Sequence, residues 1–462
     1  MTGGRSTHDI VVLGGGSGGY SCALRAAELG LDVVLIERDK LGGTCLHRGC
    51  IPTKALLHAG EVADTARQSA QFGVKTEFLG IDLAAVTAYQ DSVVSKMFKG
   101  LTALVGSRGI RVVAGSGRLV SPTTVAVGED RYEAQHVVLA TGSEPASLPG
   151  LQIDGRQVIT SDNALRLERM PTSAVILGGG VIGVEFASAW RSFGVDVTIV
   201  EALPRLLPTE EESSSRRLER AFRKRGIGFR TGVRFAGVQR GEAGVRVELA
   251  DGTQLDADLL LVAVGRSPVS AGLGYEDAGI VMDRGPGSAV AVDEFCLTNV
   301  PTISAVGDLI PTPQLAHVGF AEGILVAERL AGLDVTPIDY AGAPRVTYSE
   351  PEVASVGLTS EQARALGHEV EQVQYDLTGN GKATILRAAG AATVLRAKDG
   401  PVLGIHLVGS RMGELAAEAQ LIYNWEAFPE DVAALLHPHP TQSEALGEAH
   451  LALAGKPLHV HG

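Results

Sequence analysis

The chain is poor in cysteine and in aromatic side chains: its 462 residues include four Cys and two Trp, and only 5% are aromatic. Four unevenly spaced cysteines do not supply the disulfide framework of a small secreted protein, so a disulfide here is expected to be catalytic. The sequence also lacks an apolar run of about 18 residues, and residues 1–9 are short and polar. No membrane span and no signal peptide are therefore predicted, and a cytoplasmic location is expected.

Acidic residues outnumber basic ones: the chain has 53 Asp and Glu and 40 Lys and Arg, which gives a formal net charge of −13. Such a field repels phosphate backbones, so nucleic acid is not an expected partner. The basic run Arg216–Arg225 is interpreted as the solvated face of one amphipathic helix. A hydrophobic fraction of 45% is typical of globular proteins, and the length corresponds to about three domains.

Two glycine-rich turns repeat along the chain, in IVVLGGGSGG (Ile10–Gly19) and VILGGGVIG (Val175–Gly183). Each follows an apolar strand pattern and opens a helix pattern. In such a turn the first glycine permits the sharp bend, the second admits a pyrophosphate, and the third lets helix and strand pack closely. The glycines in these roles are Gly14, Gly16 and Gly19 in the first copy and Gly178, Gly180 and Gly183 in the second. The repeat predicts two dinucleotide sites.

An acidic residue follows the first glycine of each turn by 23 positions, Glu37 in one copy and Glu201 in the other. A carboxylate at this point accepts hydrogen bonds from a ribose 2′-hydroxyl and repels a 2′-phosphate. Glu201 therefore favours NAD over NADP at the second site. Arg205 is close in sequence and is a counter-charge that could soften this preference.

A second pair of similar segments lies near the end of each repeat: HVVLATG (His136–Gly142) and LLLVAVG (Leu259–Gly265) both predict a buried strand that ends in glycine. The predicted fold class is α/β, with two Rossmann-like domains at 1–149 and 150–269, a central segment at 270–345 and an α+β domain at 346–462. Apolar positions between Tyr89 and Ser107 recur at helical spacing. In the last domain, TILRAAGAATVLRA and PVLGIHLVG predict strands, and Glu414–Glu426 is expected to be helical.

Cys45 and Cys50 lie five residues apart in GGTCLHRGCIPTK. In a regular helix this spacing separates the Cα atoms by about 8–9 Å, whereas a disulfide tolerates up to about 7 Å. The segment before Cys50 is therefore expected to be non-helical or distorted, with a helix that begins near Cys50 and stabilises a thiolate there. The alternatives are two buried free thiols or half of a zinc site with His47. Cys22 and Cys296 supply no matching ligand pair, so no metal is expected.

The C-terminal segment HPHPTQSE contains His437, His439 and Glu444. Histidine exchanges a proton near neutral pH, and a carboxylate on its other ring nitrogen fixes the tautomer, so His439 and Glu444 are a candidate acid-base pair. Rigid packing of a His-Pro loop is the alternative, and the role of His437 is open. The remaining C-terminal histidines, His450, His459 and His461, are expected at the surface or in the tail.

Taken together, these motifs resemble the class I pyridine nucleotide-disulfide oxidoreductases. The matching stretches are GGGSGG, GGTCLHRGCIPTK, VVLATGS, GGGVIGVE, VAVGRSP, SAVGD, PEVASVG and HPHPTQSE. The resemblance implies an FAD domain at 1–149, an NAD domain at 150–269, a central domain that returns to the FAD domain at 270–345, and a dimerisation domain at 346–462. It also implies a homodimer in which the base of one subunit serves the active site of the other.

The resemblance further implies roles for individual residues. Cys50 would lie beside the flavin, Cys45 would exchange with substrate, and Lys54 and Glu185 would form an ion pair near the flavin N5. His439 would be the base and Glu444 its orienting acid, and the His439–Pro440 bond would be cis. Further implied cofactor contacts are Gly117, Thr141, Gly142, Ser143, Asp308 at the ribityl chain, Ala316 and Gly265.

The activity implied is oxidation of protein-bound dihydrolipoamide to lipoamide, with reduction of NAD to NADH and a lipoyl carrier of a 2-oxo acid dehydrogenase complex as partner. A glutathione-type reductase is the alternative within the class, although Glu201 opposes its NADPH. A mercuric reductase would carry a further cysteine pair near the C-terminus, which ends here in HVHG. His47 and Arg48 replace a frequent Asn-Val pair and leave the disulfide substrate open. A non-enzymatic flavoprotein subunit is the alternative from another class.

Overall fold

The computed structural model describes residues 7–285 and 287–459. Two compact units are present. The first comprises Met1–Ala55, Ala84–Ala146 and Arg266–Tyr340, and the second comprises Leu56–Leu83, Ser147–Gly265 and Ala341–Gly462. Each unit is therefore built from three separate stretches of chain.

The helices of the described residues are α1 (Ser17–Glu28), α2 (Gly43–Arg48), α3 (Cys50–Gln68), α4 (Leu83–Ser107), α5 (Ser161–Ala164), α6 (Val181–Ser192), α7 (Glu212–Arg225), α8 (Ala316–Leu330), α9 (Ser360–Ala365), α10 (Gly381–Leu386), α11 (Met412–Asn424), α12 (Pro429–Ala433) and α13 (Glu444–Leu453). Short 3-10 turns lie at Ser69–Phe72, Gly307–Leu309 and Leu377–Gly379. The strands are β1 (Thr7–Leu13), β2 (Val33–Glu37), β3 (Arg111–Ala114), β4 (Gly117–Ser121), β5 (Thr124–Val127), β6 (Asp130–Leu139), β7 (Ser143–Pro145), β8 (Val158–Thr160), β9 (Ser173–Leu177), β10 (Asp196–Val200), β11 (Gly228–Arg230), β12 (Phe235–Gly241), β13 (Gly244–Leu249), β14 (Gln254–Ala257), β15 (Leu259–Val262), β16 (Arg266–Pro268), β17 (Ile303–Ala305), β18 (Arg345–Thr347), β19 (Glu352–Gly357), β20 (Val370–Asp376), β21 (Ala391–Ala397) and β22 (Val402–Gly409).

The first unit contains a sheet in the order β3-β2-β1-β6-β5-β4, with β17 also paired to β6. Strands β3, β2, β1, β6 and β17 are parallel, whereas β4, β5 and β6 form an antiparallel meander. The register places Ile10 opposite Val33 and His136. Buried Val, Ile and Leu occupy residues 10–13 of β1, 33–36 of β2 and 137–139 of β6, as expected for parallel strands covered on both faces.

Helices α1 and α8 pack closely in this unit because α8 has a glycine, Gly323, at the point where it contacts α1. A Cβ atom at Gly323 would lie 2.2 Å from Ser21 Oγ and 2.3 Å from the Gly18 carbonyl oxygen. Such distances are impossible for real atoms, so only glycine allows this approach. The contact fixes α8 beside the first glycine turn, at the carboxyl edge of the parallel strands.

The second unit contains two distinct sheets and a three-stranded antiparallel sheet, β12-β13-β14. The sheet β11-β10-β9-β15-β8 is entirely parallel. Its strand order β10-β9-β15 around the second glycine turn corresponds to the order β2-β1-β6 around the first. The sheet β18-β19-β22-β21-β20 is antiparallel and packs on α11 and α13 around a core that includes Val394, Ile405 and Leu446. The chain thus combines doubly wound α/β folds with an α+β region, and the predicted fold class is confirmed.

Most of the predicted elements are present, and one is wrong in part. The helix predicted within Tyr89–Ser107 is α4, and the basic run forms the end of α7. The strand predicted from TILRAAGAATVLRA begins only at Ala391, because Gly381–Leu386 is helical and Asn380 caps that helix with its side chain. Among the described residues, no helix has the length and apolarity needed to span a membrane.

Candidate active site

The first glycine turn joins β1 to α1 and has the geometry of a pyrophosphate cradle. Gly14 has φ +110°, and a Cβ there would lie 2.2 Å from the Ala140 carbonyl oxygen. A Cβ at Gly19 would lie 1.8 Å from the Gly14 carbonyl oxygen, whereas the space around Gly16 is open to 4 Å. Gly16 is the N-cap of α1, so the amides of the first turn face this open space. The steric surroundings of the three glycines fit their predicted roles, and the contact of Gly16 with a pyrophosphate stays a prediction.

Glu37 closes this turn at the end of β2. Its Oε2 accepts the Gly15 amide at 2.6 Å, and its Oε1 accepts the Asp39 amide at 2.8 Å. Each oxygen keeps acceptor capacity, because an ionised carboxylate has about four acceptor positions. The backbone thus fixes the carboxylate at the mouth of the cradle, and its contact with a ribose hydroxyl stays a prediction.

The second glycine turn joins β9 to α6 and has the same steric features as the first. Gly178 has φ +106°, and a Cβ there would lie 2.2 Å from the Ala263 carbonyl oxygen. A Cβ at Gly183 would lie 2.0 Å from the Gly178 carbonyl oxygen, and Gly180 is the open N-cap of α6. The same test therefore supports a second dinucleotide site, with Gly265 at φ +118° just beyond β15.

Glu201 holds the place of Glu37 in this second turn and is 9% exposed. Its Oε2 accepts the Gly179 amide at 2.6 Å, and its Oε1 accepts the Leu203 amide at 2.7 Å. Arg205 is turned back on its own loop, where its guanidinium donates to the Pro208 carbonyl at 3.0 Å. The charge next to the predicted ribose position is thus Glu201, with Arg205 engaged elsewhere.

Ser143 and Asp308 meet in the first unit, with Arg266 beside them. Ser143 Oγ donates to Asp308 Oδ2 at 2.5 Å. Arg266 Nε donates to Ser143 Oγ at 2.7 Å and lies 3.8 Å from Asp308 Oδ2. Both contacts are made by Oδ2 of Asp308. Arg266 was missed by the sequence reasoning, although it stands in the VAVGRSP motif.

Thr141 and Gly142 lead from β6 to Ser143. Thr141 Oγ1 donates to the Val269 carbonyl at 2.6 Å and lies 3.0 Å from the Tyr275 hydroxyl, while Gly142 has φ +70°. These contacts fix the backbone of the ATG turn. The turn's contact with a cofactor stays a prediction.

Gly117 and Ala316 also have clear structural positions. A Cβ at Gly117 would lie 2.5 Å from Leu13 Cδ1 and 3.1 Å from Ile36 Cγ2, so the packing of the sheet alone requires glycine there. Ala316 is the first residue of α8, where helix amides have no intrahelical acceptor. Their predicted cofactor contacts remain predictions.

The cysteine motif forms two helices rather than one. Cys45 lies in α2, the chain breaks at Gly49 (φ −141°, ψ −110°), and Cys50 is the first residue of α3. The segment before Cys50 is thus helical, contrary to the simplest expectation, but the break separates the two cysteines as predicted. The Gly42 amide donates to the Gly15 carbonyl at 2.8 Å, which ties this motif to the first glycine turn.

Cys45 and Cys50 are both free thiols in the structure, and their side chains are hydrogen-bonded to each other. The hydrogen bond to Cys50 and burial raise the pKa of Cys45 well above its ordinary value, although the positive charge of Lys54 opposes this. Tyr20 lies nearby, and burial, followed by the charges of the two cysteines, raises its pKa to about 12. The raised pKa favours the neutral thiol at Cys45 in the reduced pair.

His47 and Arg48 brace the same segment. His47 Nε2 contacts the Leu41 carbonyl at 2.8 Å, and its ring meets that of Phe98 edge-on at 5.2 Å. Arg48 forms an ion pair with Asp39 at 3.0 Å. Both residues that depart from the commoner Asn-Val pair thus have packing partners. Among the described residues, no group of three His, Cys, Asp or Glu side chains could hold a metal.

Glu185 lies in α6 and is 3% exposed. Its Oε1 accepts the Tyr348 amide at 2.9 Å, which orients the carboxylate within the second unit. Its predicted ion pair with Lys54 stays a prediction.

His439 and Glu444 form the predicted pair. His439 Nδ1 lies 2.9 Å from Glu444 Oε1, and the Thr441 amide donates to Glu444 Oε2 at 2.8 Å. Partial burial acts to raise the pKa of Glu444, but the hydrogen bonds from Thr441 and His439 outweigh it and leave this pKa below its ordinary value. The His439–Pro440 bond is cis, which confirms that prediction. The side chain of His439 is 77% exposed.

His437 has a partner of its own, Glu418 of α11, at 2.7 Å from its Nε2. This hydrogen bond raises the pKa of His437, although partial burial opposes the shift. Its ring also occupies the space that a side chain at Gly447 would need, since a Cβ there would lie 2.6 Å from Nδ1. His437 therefore anchors the loop that carries His439.

The expectation that His450 is a surface residue is wrong. It is fully buried in α13, its Nδ1 contacts the Leu446 carbonyl at 2.6 Å, and burial lowers its pKa to about 4. The helical period that carries His450 to the inner face of α13 explains the error. His459 is exposed and pairs with Glu448 at 2.8 Å, whereas His461 lies outside the described residues.

The chain matches two family models: pyridine nucleotide-disulphide oxidoreductase over residues 8–323, and the dimerisation domain of the same family over residues 343–450. It is 41% identical to dihydrolipoyl dehydrogenase of Bacillus subtilis, over 98% of this chain and 99% of that protein. It is 38% identical to the mitochondrial dihydrolipoyl dehydrogenase of Pisum sativum, over 99% and 93%. Among solved structures, LpdA of Mycobacterium tuberculosis aligns with a TM-score of 0.89 and 28% identity over 97% of this chain and 100% of that one.

Proposed function

The chain belongs to the pyridine nucleotide-disulphide oxidoreductases, and we propose that it catalyses the reaction named for its curated relatives, oxidation of a dihydrolipoyl group. The chain is an FAD-dependent oxidoreductase that acts on disulfides and uses NAD. The two glycine cradles, each with its carboxylate held by backbone amides, fit these two cofactors.

One observation carries the proposal: Cys45 and Cys50 are hydrogen-bonded to each other on a segment that is tied to the first glycine turn by the Gly42 amide. A dithiol pair built onto a flavin-binding turn is the arrangement that a two-electron exchange requires. The link between the cysteine segment and the first turn favours FAD at that turn, because the dithiol must exchange electrons with the flavin. The second turn, with Glu201, takes NAD.

In the proposed cycle, a thiolate of the dihydrolipoyl group attacks Cys45 in the Cys45–Cys50 disulfide, and Cys50 leaves as a thiolate. The second substrate thiol then displaces Cys45, so that lipoamide forms and the enzyme holds the dithiol. His439 takes up protons from the substrate thiols, and Glu444 fixes its tautomer through the 2.9 Å contact. The substrate loses two electrons and two protons; NAD gains two electrons and one proton, and the other proton goes to solvent.

The bound flavin supplies the path by which the electron pair leaves the dithiol for NAD. The protein's own contribution is to hold Cys50 at the first turn of α3, where helix amides and the nearby Lys54 favour a thiolate. Tyr20 lies close to the pair, and both cysteines are partly buried. In this assignment Cys45 exchanges with substrate and Cys50 is the thiol beside the flavin.

We further propose that the working unit is a homodimer built through the dimerisation domain, with a lipoyl-carrying protein as substrate. This domain exposes large apolar side chains: Leu421, Trp425, Leu435 and Leu436 are 49%, 76%, 60% and 98% exposed. Leu436 directly precedes the loop that carries His439. An interface here would bring His439 of one subunit toward the cysteines of the other. The predicted cytoplasmic location stays a prediction.

Steady-state assays with NAD and either dihydrolipoamide or reduced glutathione test the proposal, with flavin content measured on the purified protein. We expect a yellow protein, turnover with dihydrolipoamide, and a long-wavelength absorption band after two-electron reduction. Cys45→Ser should abolish turnover and retain FAD. Cys22→Ala, which changes a buried thiol outside the cysteine motif, should retain both turnover and FAD. Preference for glutathione, or turnover by Cys45→Ser, would contradict the proposal.

A further inference from the structure

Glu322 is a carboxylate with no solvent exposure and no part in the cycle described above. It lies in α8, one residue before Gly323, at the close contact between α8 and α1. Burial raises its pKa to about 7, although hydrogen bonds from Thr312, Gly307 and Tyr340 act in the opposite direction. Burying a carboxylate is costly unless its oxygens are satisfied, so the contacts of Glu322 indicate what it is for.

The two oxygens of Glu322 hold both ends of one loop. Oε2 accepts the Gly307 amide at 2.6 Å, and Oε1 accepts the Thr312 hydroxyl at 2.7 Å. The loop between these points begins with a 3-10 turn at Gly307–Leu309, and Gly307 is in the left-handed region at φ +72°. A single side chain from α8 therefore fixes the entry and the exit of this loop.

Asp308 lies directly after the clamped Gly307. Its Oδ2 accepts the Ser143 hydroxyl at 2.5 Å, and Arg266 supports Ser143 from the other side. The Asp308 carboxylate is thus fixed at two levels: its backbone by Glu322 and its side chain by Ser143. Since the Ser143 hydrogen bond and the Arg266 ion pair both use Oδ2, this arrangement presents Oδ1 as the acceptor.

We propose that Glu322 is a positioning residue for flavin binding, which holds the Gly307–Thr312 loop so that Asp308 can accept hydrogen bonds from the ribityl hydroxyls. This inference rests on the proposed function, because Asp308 is assigned to the flavin by family resemblance. Glu322 has a further hydrogen bond with Tyr340, and its proposed effect on the flavin is transmitted through the loop. The shape of the side chain matters, because one of its terminal atoms must face the Gly307 amide and the other the Thr312 hydroxyl.

Binding of FAD to the apoprotein of the full chain, followed by flavin fluorescence, measures the effect. Glu322→Ala removes both loop contacts and is expected to raise the FAD dissociation constant by about tenfold or more. Glu322→Gln keeps the shape and can still accept the Gly307 amide while its NH₂ donates to Thr312 Oγ1, so it should recover most of the affinity. Thr312→Val removes one contact from outside the helix and should raise the constant about threefold.

Glu328→Gln is the matched control, because Glu328 lies on the same helix and accepts Arg25 at 2.7 and 2.9 Å without touching the loop. It should lower thermal stability and leave the FAD dissociation constant within about twofold of wild type. If Glu322→Ala does not fold, Thr312→Val decides. Wild-type affinity in both Glu322→Ala and Thr312→Val, or in Thr312→Val alone when the former is unfolded, would overturn the inference. A wild-type protein that binds no FAD would instead overturn the proposed function.

Discussion

The acid-base pair gives the sharpest test of the proposed chemistry, through the substitution Glu444→Gln. Both carboxylate oxygens of Glu444 accept a hydrogen bond, one from His439 at 2.9 Å and the other from the Thr441 amide at 2.8 Å. A glutamine has one accepting oxygen, so its NH₂ group must face one of these two donors. The variant therefore either loses the Thr441 contact or donates to Nδ1 and holds His439 in the opposite tautomer.

The size of the effect follows from this geometry. A hydrogen bond to a charged group contributes about 1.5–3 kcal/mol, which corresponds to roughly 10-fold to 150-fold in an equilibrium or rate. If the amide turns to keep His439, the Thr441 contact is lost and the loop that carries His439 is loosened. If it keeps Thr441, His439 is held in the opposite tautomer. We expect kcat with dihydrolipoamide to fall by about 10-fold to 100-fold, with little change in bound FAD.

Glu448→Gln supplies an internal control, because Glu448 lies one turn later on α13 and has the same arrangement. Its Oε1 contacts the His459 ring at 2.8 Å and its Oε2 accepts the His459 amide at 3.0 Å. Steady-state rates with dihydrolipoamide and NAD are compared for both variants, together with the rate at which NADH bleaches the flavin. Only Glu444→Gln should slow dithiol turnover, and the bleaching by NADH should be normal in both. Equal turnover in the two variants would refute the assignment of Glu444.

Two further predictions concern the nucleotide and the interface. A 2′-phosphate placed about 4 Å from Glu201 is repelled by the carboxylate by about 1–4 kcal/mol. We therefore expect kcat/KM with NAD to exceed kcat/KM with NADP by roughly tenfold or more. In Glu201→Gln, the ratio of these two kcat/KM values should fall about tenfold. Comparable wild-type values for the two nucleotides would contradict this. Leu436→Asp should convert the dimer to monomers in analytical ultracentrifugation and abolish turnover, since burying a leucine side chain contributes about 1.5–3 kcal/mol per subunit. Leu79→Asp, at a residue that is 88% exposed outside the dimerisation domain, should leave the dimer intact.

The sequence predicts those parts of the structure in which a local pattern has a local cause. Gly14 and Gly178 have positive φ because a sharp bend must follow the strand, and their sequence neighbours suffice to show it. The amphipathic period of α4 and α7 is likewise written in the helix itself. The pairing of His439 with Glu444 spans five residues of one motif. For such features, motif and geometry coincide.

Features that depend on contacts between distant segments could not be predicted in this way. Arg266 reaches Ser143, 123 positions away, and its motif carries no sign of that partner. Glu322 lies in an ordinary apolar helix pattern, and only the return of the loop at Gly307 gives it a purpose. His450 was misplaced for the same reason, because burial of α13 depends on the sheet β18–β22. In each case a polar residue is explained by tertiary packing rather than by its neighbours in the sequence.

Comparison of the two glycine turns shows how redox chemistry is built onto a repeated scaffold. In the first turn the Gly42 amide donates to the Gly15 carbonyl at 2.8 Å, and in the second the Leu207 amide donates to the Gly179 carbonyl at 2.8 Å. In both copies, the segment that follows the acidic residue therefore returns to the glycine turn.

A leucine seals the returning chain in each copy: a Cβ at Gly15 would lie 2.9 Å from Leu41 Cδ2, and a Cβ at Gly179 would lie 2.7 Å from Leu206 Cδ2. Beyond this shared point the copies diverge. The first continues directly into α2 and α3 with Cys45 and Cys50, whereas the second continues through Glu210 into α7. In the proposed assignment, the contact that places the dithiol beside the flavin is thus one that the scaffold already uses for packing, and the specifically catalytic part is the short stretch from Cys45 to Cys50.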